Sequence, residues 1–228
     1  MIRVCVAGST GWTGSAVAAA VEGADDLKLA AGVSRSDPDA FSSVAEALDA
    51  VAADVLVDYT HAAVVRENVL AAIERGVAVV VGSSGLSAAD YEEIDARARE
   101  REVGVIAAGN FSLTAALLLR FAAEAARHLE AWEVIDYASF GKPDAPSGTS
   151  RELAERLGSV RAAAAAVPVD EVHGLREARG ATVAGTQVHS LRHDAGESAA
   201  PYVAGTLLAI RAVPGRIGLT RGLDRLLD

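Results

Sequence analysis

Five short runs of nearly uninterrupted Val, Ile, Leu and Ala mark the first half of the chain, at residues 2–6, 27–33, 55–58, 77–81 and 103–107. Between them lie stretches with helical spacing, at 15–21, 41–51, 62–75 and from Ser87 onward. Runs this apolar suit strands buried on both faces. Strands that alternate with helices pair in parallel, because each helix carries the chain back to the same end of the sheet. The pattern predicts an α/β fold with a doubly wound parallel sheet of Rossmann type. Gly76 reads as the residue closing the third helix, and Ser87 with Asp90 three residues on reads as a capping box.

The second half is organised differently. Residues 114–129 read as a long helix, 133–137 as a strand, 150–157 as a helix and 182–191 as a strand; 162–166 fits either helix or linker. The tail from Gly205 starts as a helix and is expected to pack back on the first domain. The boundaries drawn from this are 1–112 for a dinucleotide-binding domain, 113–204 for a smaller, shortened α+β substrate and oligomerisation domain, and 205–228 for the returning segment.

Composition excludes several function classes. A chain of 228 residues that is 51% hydrophobic can bury a large core, which excludes disorder. A net charge of −10 with 4% aromatic residues disfavours nucleic acid and anionic membrane as partners. The single Cys5 lies in the first apolar run and reads as a small core residue; it excludes an internal disulfide and a cysteine zinc site, and no metal is expected. No stretch is apolar enough to span a bilayer and no leader is evident, so a cytoplasmic location is expected.

The chemistry concentrates at the predicted strand ends. Gly8-Ser9-Thr10-Gly11-Trp12-Thr13-Gly14 follows a strand and precedes a helix. Glycines there let the backbone approach a diphosphate, while the helix start offers N–H groups and a positive dipole end. The second strand ends at Ser34-Arg35. An acid at that position would bind the free 2′-hydroxyl of NADH; a hydroxyl and a guanidinium suit the 2′-phosphate of NADPH. NADPH is therefore the expected cofactor, with NADH also admitted. Two further loops, Gly82-Ser83-Ser84-Gly85 and Ala108-Gly109-Asn110-Phe111-Ser112, end the fourth and fifth strands, where open α/β sheets bind ligands.

With these motifs in place, the chain resembles the 4-hydroxy-tetrahydrodipicolinate (dihydrodipicolinate) reductases of bacterial lysine biosynthesis. The resemblance rests on the glycine loop, Asp58-Tyr59-Thr60-His61, Gly82 to Gly85, Asn110-Phe111-Ser112 and Lys142-Pro143-Asp144-Ala145-Pro146-Ser147-Gly148-Thr149, and extends through 205–227. It implies hydride transfer from a nicotinamide to an unsaturated ring carbon of a cyclic dicarboxylate, and a homo-oligomer. By position, Lys142 matches the catalytic lysine, and Ser147, Gly148 and Thr149 match the segment that grips a substrate carboxylate. The cofactor set becomes Gly8, Thr10, Gly11, Trp12, Thr13, Gly14, Ser34, Arg35, Tyr59, Thr60, Gly82, Ser83, Ser84, Gly109, Asn110 and Phe111.

The chain also departs from that pattern. Ala138 and Ser139 stand where the family has two adjacent histidines, one the proton donor. Residues 197–202 lack the family's arginine, and the stretch between Leu191 and Tyr202 is about two strands shorter. Lys142 remains as a donor, with His61, Tyr137 and His193 behind it. These losses point to a divergent reductase that acts on a C=N or conjugated C=C bond of a small imino or amino acid, working as a dimer or tetramer. Two alternatives stand beside it: an ordinary 4-hydroxy-tetrahydrodipicolinate reductase, and a catalytically silent NADPH-binding accessory protein.

Overall fold

The structure is a computed structural model that describes residues 1–129, 131–138, 146–161, 180–183, 186–192 and 199–227. Residues Met1–Leu113 and Ser198–Asp228 form one compact unit, and Thr114–Glu197 form another.

The first unit is built on a six-stranded sheet. Strands β1 (Ile2–Ala7), β2 (Leu27–Val33), β3 (Val55–Asp58), β4 (Ala78–Val81) and β5 (Gly104–Ala107) occupy the five apolar runs. Their spatial order is β2-β1-β3-β4-β5, with β9 (Gly218–Arg221) added beside β5, and every pairing is parallel. Chain order reverses between β1 and β3, so the crevice where ligands bind in such sheets lies at their carboxyl ends.

Both faces of the sheet are covered. Helices α2 (Val44–Ala50), α3 (Val65–Glu74) and α4 (Ala88–Glu100) pack side by side, while α1 (Trp12–Glu22) packs with α7 (Ala200–Ala212). Cys5, Ala7, Leu56, Val79, Val81, Val105 and Ala107 enter one core with Val65, Val69, Ile73 and Ile94 of the helices. The intervening residues Val4, Val6, Val55, Val57, Val80 and Ile106 are buried as well. Side chains alternate across a strand, so burial at both parities is what a doubly covered sheet requires. The Cys5 thiol is pushed up to about 12, first by burial and then by the charge of Asp58, which makes it an inert core group.

Local chemistry sets the helix ends. Ser43 caps α2 by accepting from Glu46 N–H at 3.2 Å, so that helix starts later than the spacing at 41–51 predicts. Ser87 and Asp90 form the expected capping box on α4. Helix α7 begins ahead of Gly205, the expected start of the tail, because Pro201 fits its first turn.

The second unit holds α5 (Leu113–Ala125), α6 (Gly148–Val160) and a sheet ordered β6-β8-β7, from β6 (Val134–Ala138), β7 (Gly180–Val183) and β8 (Thr186–Arg192). Leu153, Ala154, Leu157 and Val160 recur at helical spacing along α6 and pack with Val134. The single strand predicted at 182–191 is two strands. They pair antiparallel with Val183 opposite Thr186, and the alternation of the second strand continues that of the first, so a pattern-based reading sees one run. Strand β9 was also missed, being four residues long behind a glycine.

Leu56→Ala should lower the unfolding free energy by about 2–5 kcal/mol, because Leu56 is fully buried in the α2–α4 core. Ile217→Ala, at a position 60% exposed, should change it by less than about 0.5 kcal/mol. Urea unfolding of the two variants checks the contrast.

Candidate functional site

The loop between β1 and α1 is shaped by backbone contacts that leave no room for side chains. Gly8 has φ +80°, and a Cβ there would overlap the carbonyl of Tyr59 on the β3 side. A Cβ on Gly14 would overlap the Gly8 carbonyl oxygen. Gly11 N–H donates to that same oxygen at 2.9 Å, closing the turn. Gly8 N–H and Ser9 N–H donate to Val33 O at 2.9 and 3.2 Å, so the loop is fastened to the end of β2. Gly11 is the N-cap of α1, no side chain caps the helix, and its first turn contains no acid. The opening N–H groups, those of Trp12, Thr13 and Gly14 among them, therefore present a positive dipole end free of a competing carboxylate. Trp12 is 55% exposed beside this turn and meets Tyr202 edge-on at 5.8 Å.

At the end of β2, a cluster of hydroxyls joins the glycine loop. Thr10 Oγ1 lies 2.6 Å from Ser34 Oγ and 3.1 Å from Ser36 Oγ, and the two serines are 3.0 Å apart. Arg35, between them, is exposed and donates from Nη2 to His61 Nε2 at 3.2 Å. Ser36 was missed in the sequence, although it adjoins the predicted pair. His61, ranked behind Lys142 as a proton donor, stands beside Arg35 at the adenosine end of such a site.

The loops after β3 and β4 are tied together by Asp58, which is fully buried. Its Oδ1 accepts from Thr60 N–H at 3.0 Å, Thr60 Oγ1 at 2.7 Å and Ser83 Oγ at 2.6 Å; its Oδ2 accepts from Asn68 Nδ2 at 2.8 Å. The predicted residues Thr60 and Ser83 are thus held by one acid. Ser84 is exposed at the next position, and Asn110 Oδ1 accepts from Ser112 N–H at 2.8 Å to shape the loop after Gly109.

The side chains of Tyr59 and Phe111 pack together. The Tyr59 hydroxyl is bound to Thr206 Oγ1 at 2.6 Å, its ring blocks the space a Cβ on Gly82 would need, and Phe111 packs edge-on against it at 6.2 Å. Burial raises the Tyr59 phenol well above its ordinary value, with the bond to Thr206 opposing in part.

In the second unit, Ser147 caps α6. Its hydroxyl donates to Asp136 Oδ1 at 3.0 Å and accepts from Ser150 N–H at 3.2 Å, and its N–H donates to Asp136 Oδ2 at 2.8 Å. Ser147 and Asp136 are both buried, so the serine hydroxyl fixes the helix start, with Gly148 and Thr149 following in the first turn. Asp136 was not found in the sequence, where nothing links it to a serine eleven residues on. Lys142 and His193 lie outside the described residues, as do Ser139 and the side chain of Tyr137. Among the described residues, no group of three or more His, Cys, Asp or Glu could hold a metal, and no helix is long and apolar enough to cross a membrane.

Two family models match the chain end to end: the dihydrodipicolinate reductase N-terminus at residues 2–111 and the dihydrodipicolinate reductase C-terminus at 114–226. The 4-hydroxy-tetrahydrodipicolinate reductase of Mycobacterium sp. (strain KMS) is 36% identical over 250 residues, covering 100% of this chain and 99% of its own. That of Nocardia farcinica (strain IFM 10152) is 36% identical over 252 residues with the same coverage. In fold, the chain is similar to a dipicolinate-bound dihydrodipicolinate reductase from Paenisporosarcina sp. TG-14, with a TM-score of 0.77 at 24% identity over 99% of each chain.

Asp58→Ala should cost about 2–4 kcal/mol of stability, because Thr60, Asn68 and Ser83 each lose a buried acceptor. Chemical denaturation of the variant beside wild type checks it.

Proposed function

Because the chain belongs to the dihydrodipicolinate reductase family, we propose that it reduces 4-hydroxy-tetrahydrodipicolinate with NADPH as the hydride source. The match over the full length of both chains, at 36% identity, carries the choice of substrate. The divergent imino-acid reduction expected from Ala138 and Ser139 gives way to this reading, since a relationship that spans both halves favours the same reaction over a new one.

A nicotinamide cofactor fits the first unit on structural grounds. Gly8 and Gly14 let the start of α1 pack directly on the backbone after β1 and β3, which brings its uncapped N–H groups to the point where strand order reverses. When bound, the cofactor would supply hydride. The chain's part is to seat its diphosphate on the N–H groups that open α1, and its adenosine ribose against Thr10, Ser34 and Arg35. Gly82, Ser83 and Ser84, with Gly109, Asn110 and the backbone of Tyr59, Thr60 and Phe111, line the remaining strand ends.

Substrate chemistry is assigned to the second unit. Gly148 and Thr149 would hold a carboxylate on the first turn of α6, whose start is fixed by Ser147 on Asp136. Lys142 would donate the proton that accompanies hydride transfer, a role left to it where Ala138 and Ser139 carry no acid. A homo-oligomer is supported by Leu118 and Phe121 of α5, exposed at 64% and 62%, which a second copy would cover.

NADPH oxidation followed at 340 nm with freshly generated 4-hydroxy-tetrahydrodipicolinate tests the proposal. Turnover is expected, and Lys142→Ala should lower kcat by about 10²–10⁴. Turnover with cyclic imino acids but not with this substrate would restore the divergent reading; NADPH binding with no turnover of either would favour the accessory role. Arg35→Ala should raise the KM for NADPH about tenfold or more, with a much smaller effect on NADH.

A further inference from the structure

We propose that His61 is a second ligand, beside Arg35, for the 2′-phosphate of NADPH, and so helps the chain discriminate between NADPH and NADH. This deepens the nucleotide reading above and rests on it. Arg35 follows β2 and His61 follows β3, the two strands that flank β1. Their side chains meet over the carboxyl ends of those strands, with Nη2 3.2 Å from Nε2, and both residues are exposed. A guanidinium can only donate, so the contact casts Nε2 as its acceptor. The guanidinium thus meets a single ring nitrogen, in a place where the charged oxygens of a phosphate would fit better.

The surroundings are built for such a group. Ser34 and Ser36 flank Arg35 in sequence and are hydrogen-bonded to Thr10, which pins the Arg35 backbone to the glycine loop. Three hydroxyls thus gather where Arg35 leaves the backbone, and its guanidinium reaches the imidazole of His61. Asp58, the buried acid after β3, is taken up by Thr60, Asn68 and Ser83. Arg66, five residues beyond His61, is paired with Asp90 and Glu93. A phosphate monoester brings three strong acceptor oxygens. One edge of it would replace Nε2 as the acceptor for Arg35, and a ring N–H of His61 would donate to another oxygen. A ribose 2′-hydroxyl carries no charge and could not draw the pair apart.

Calorimetric titration of NADPH and NADH into wild type, His61→Ala and His61→Gln tests this. The ratio of the NADPH to the NADH dissociation constant is expected to rise about five- to tenfold in His61→Ala, the loss of one partly screened charged hydrogen bond. His61→Gln, whose amide can still donate, should recover part of it. Equal weakening of both cofactors would place His61 against the adenine or in a structural role and overturn the assignment. An unchanged ratio, or a wild type that prefers NADH, would overturn it too. Wild type that binds neither cofactor would instead overturn the nucleotide reading on which the assignment rests.

Discussion

The close passage of backbone at Gly8 governs the nucleotide end of the structure. The Gly8 carbonyl sits against Gly14 of α1 and accepts from Gly11, while Gly8 itself lies against Tyr59 after β3. These contacts bring the start of α1 down onto the sheet, at the point where strand order reverses. A side chain at Gly8 or Gly14 would lift the helix away, and the N–H groups that open it would no longer converge on one place. The hydroxyl cluster at the end of β2 and the Asp58 network after β3 then extend that surface on either side.

The Asp58 network shows how fold and site share the same residues. Its carboxyl group is buried and is met by donors from the loop after β3, from α3 and from the loop after β4. Burial without such partners would be strongly unfavourable. These donors make it a fixed joint between the two loops, the first of which lies against Gly8. Tyr59, with its hydroxyl on Thr206 and its ring on Phe111, is a second joint, connecting the same region to α7.

Periodicity and glycine placement made the sheet, its helices and the glycine loop legible in the sequence, because each of those signals is local. Apolar runs at β1, β3 and β4 can only be strands covered on both sides, and Ser87 with Asp90 marks its helix start within four residues. The pairings that shape the site are not local. Nothing in the chain joins Tyr59 to Thr206, or Asp136 to Ser147, before the fold brings them together. For the same reason Tyr59 and Phe111 read as ligand contacts from motif position alone, while their side chains serve the core. The departures at Ala138 and Ser139, the missing arginine at 197–202 and the short stretch before Tyr202 are equally plain in the sequence, and they stand against a resemblance that runs the length of the chain.

The account depends on a nucleotide being held where these glycines clear the backbone. A crystal structure of the protein with NADPH bound measures this directly. The account predicts the diphosphate against the N–H groups of the Gly11–Gly14 turn, with the 2′-phosphate beside Arg35 and Ser34. A diphosphate seated away from that turn, or an adenosine ribose away from the end of β2, would contradict it.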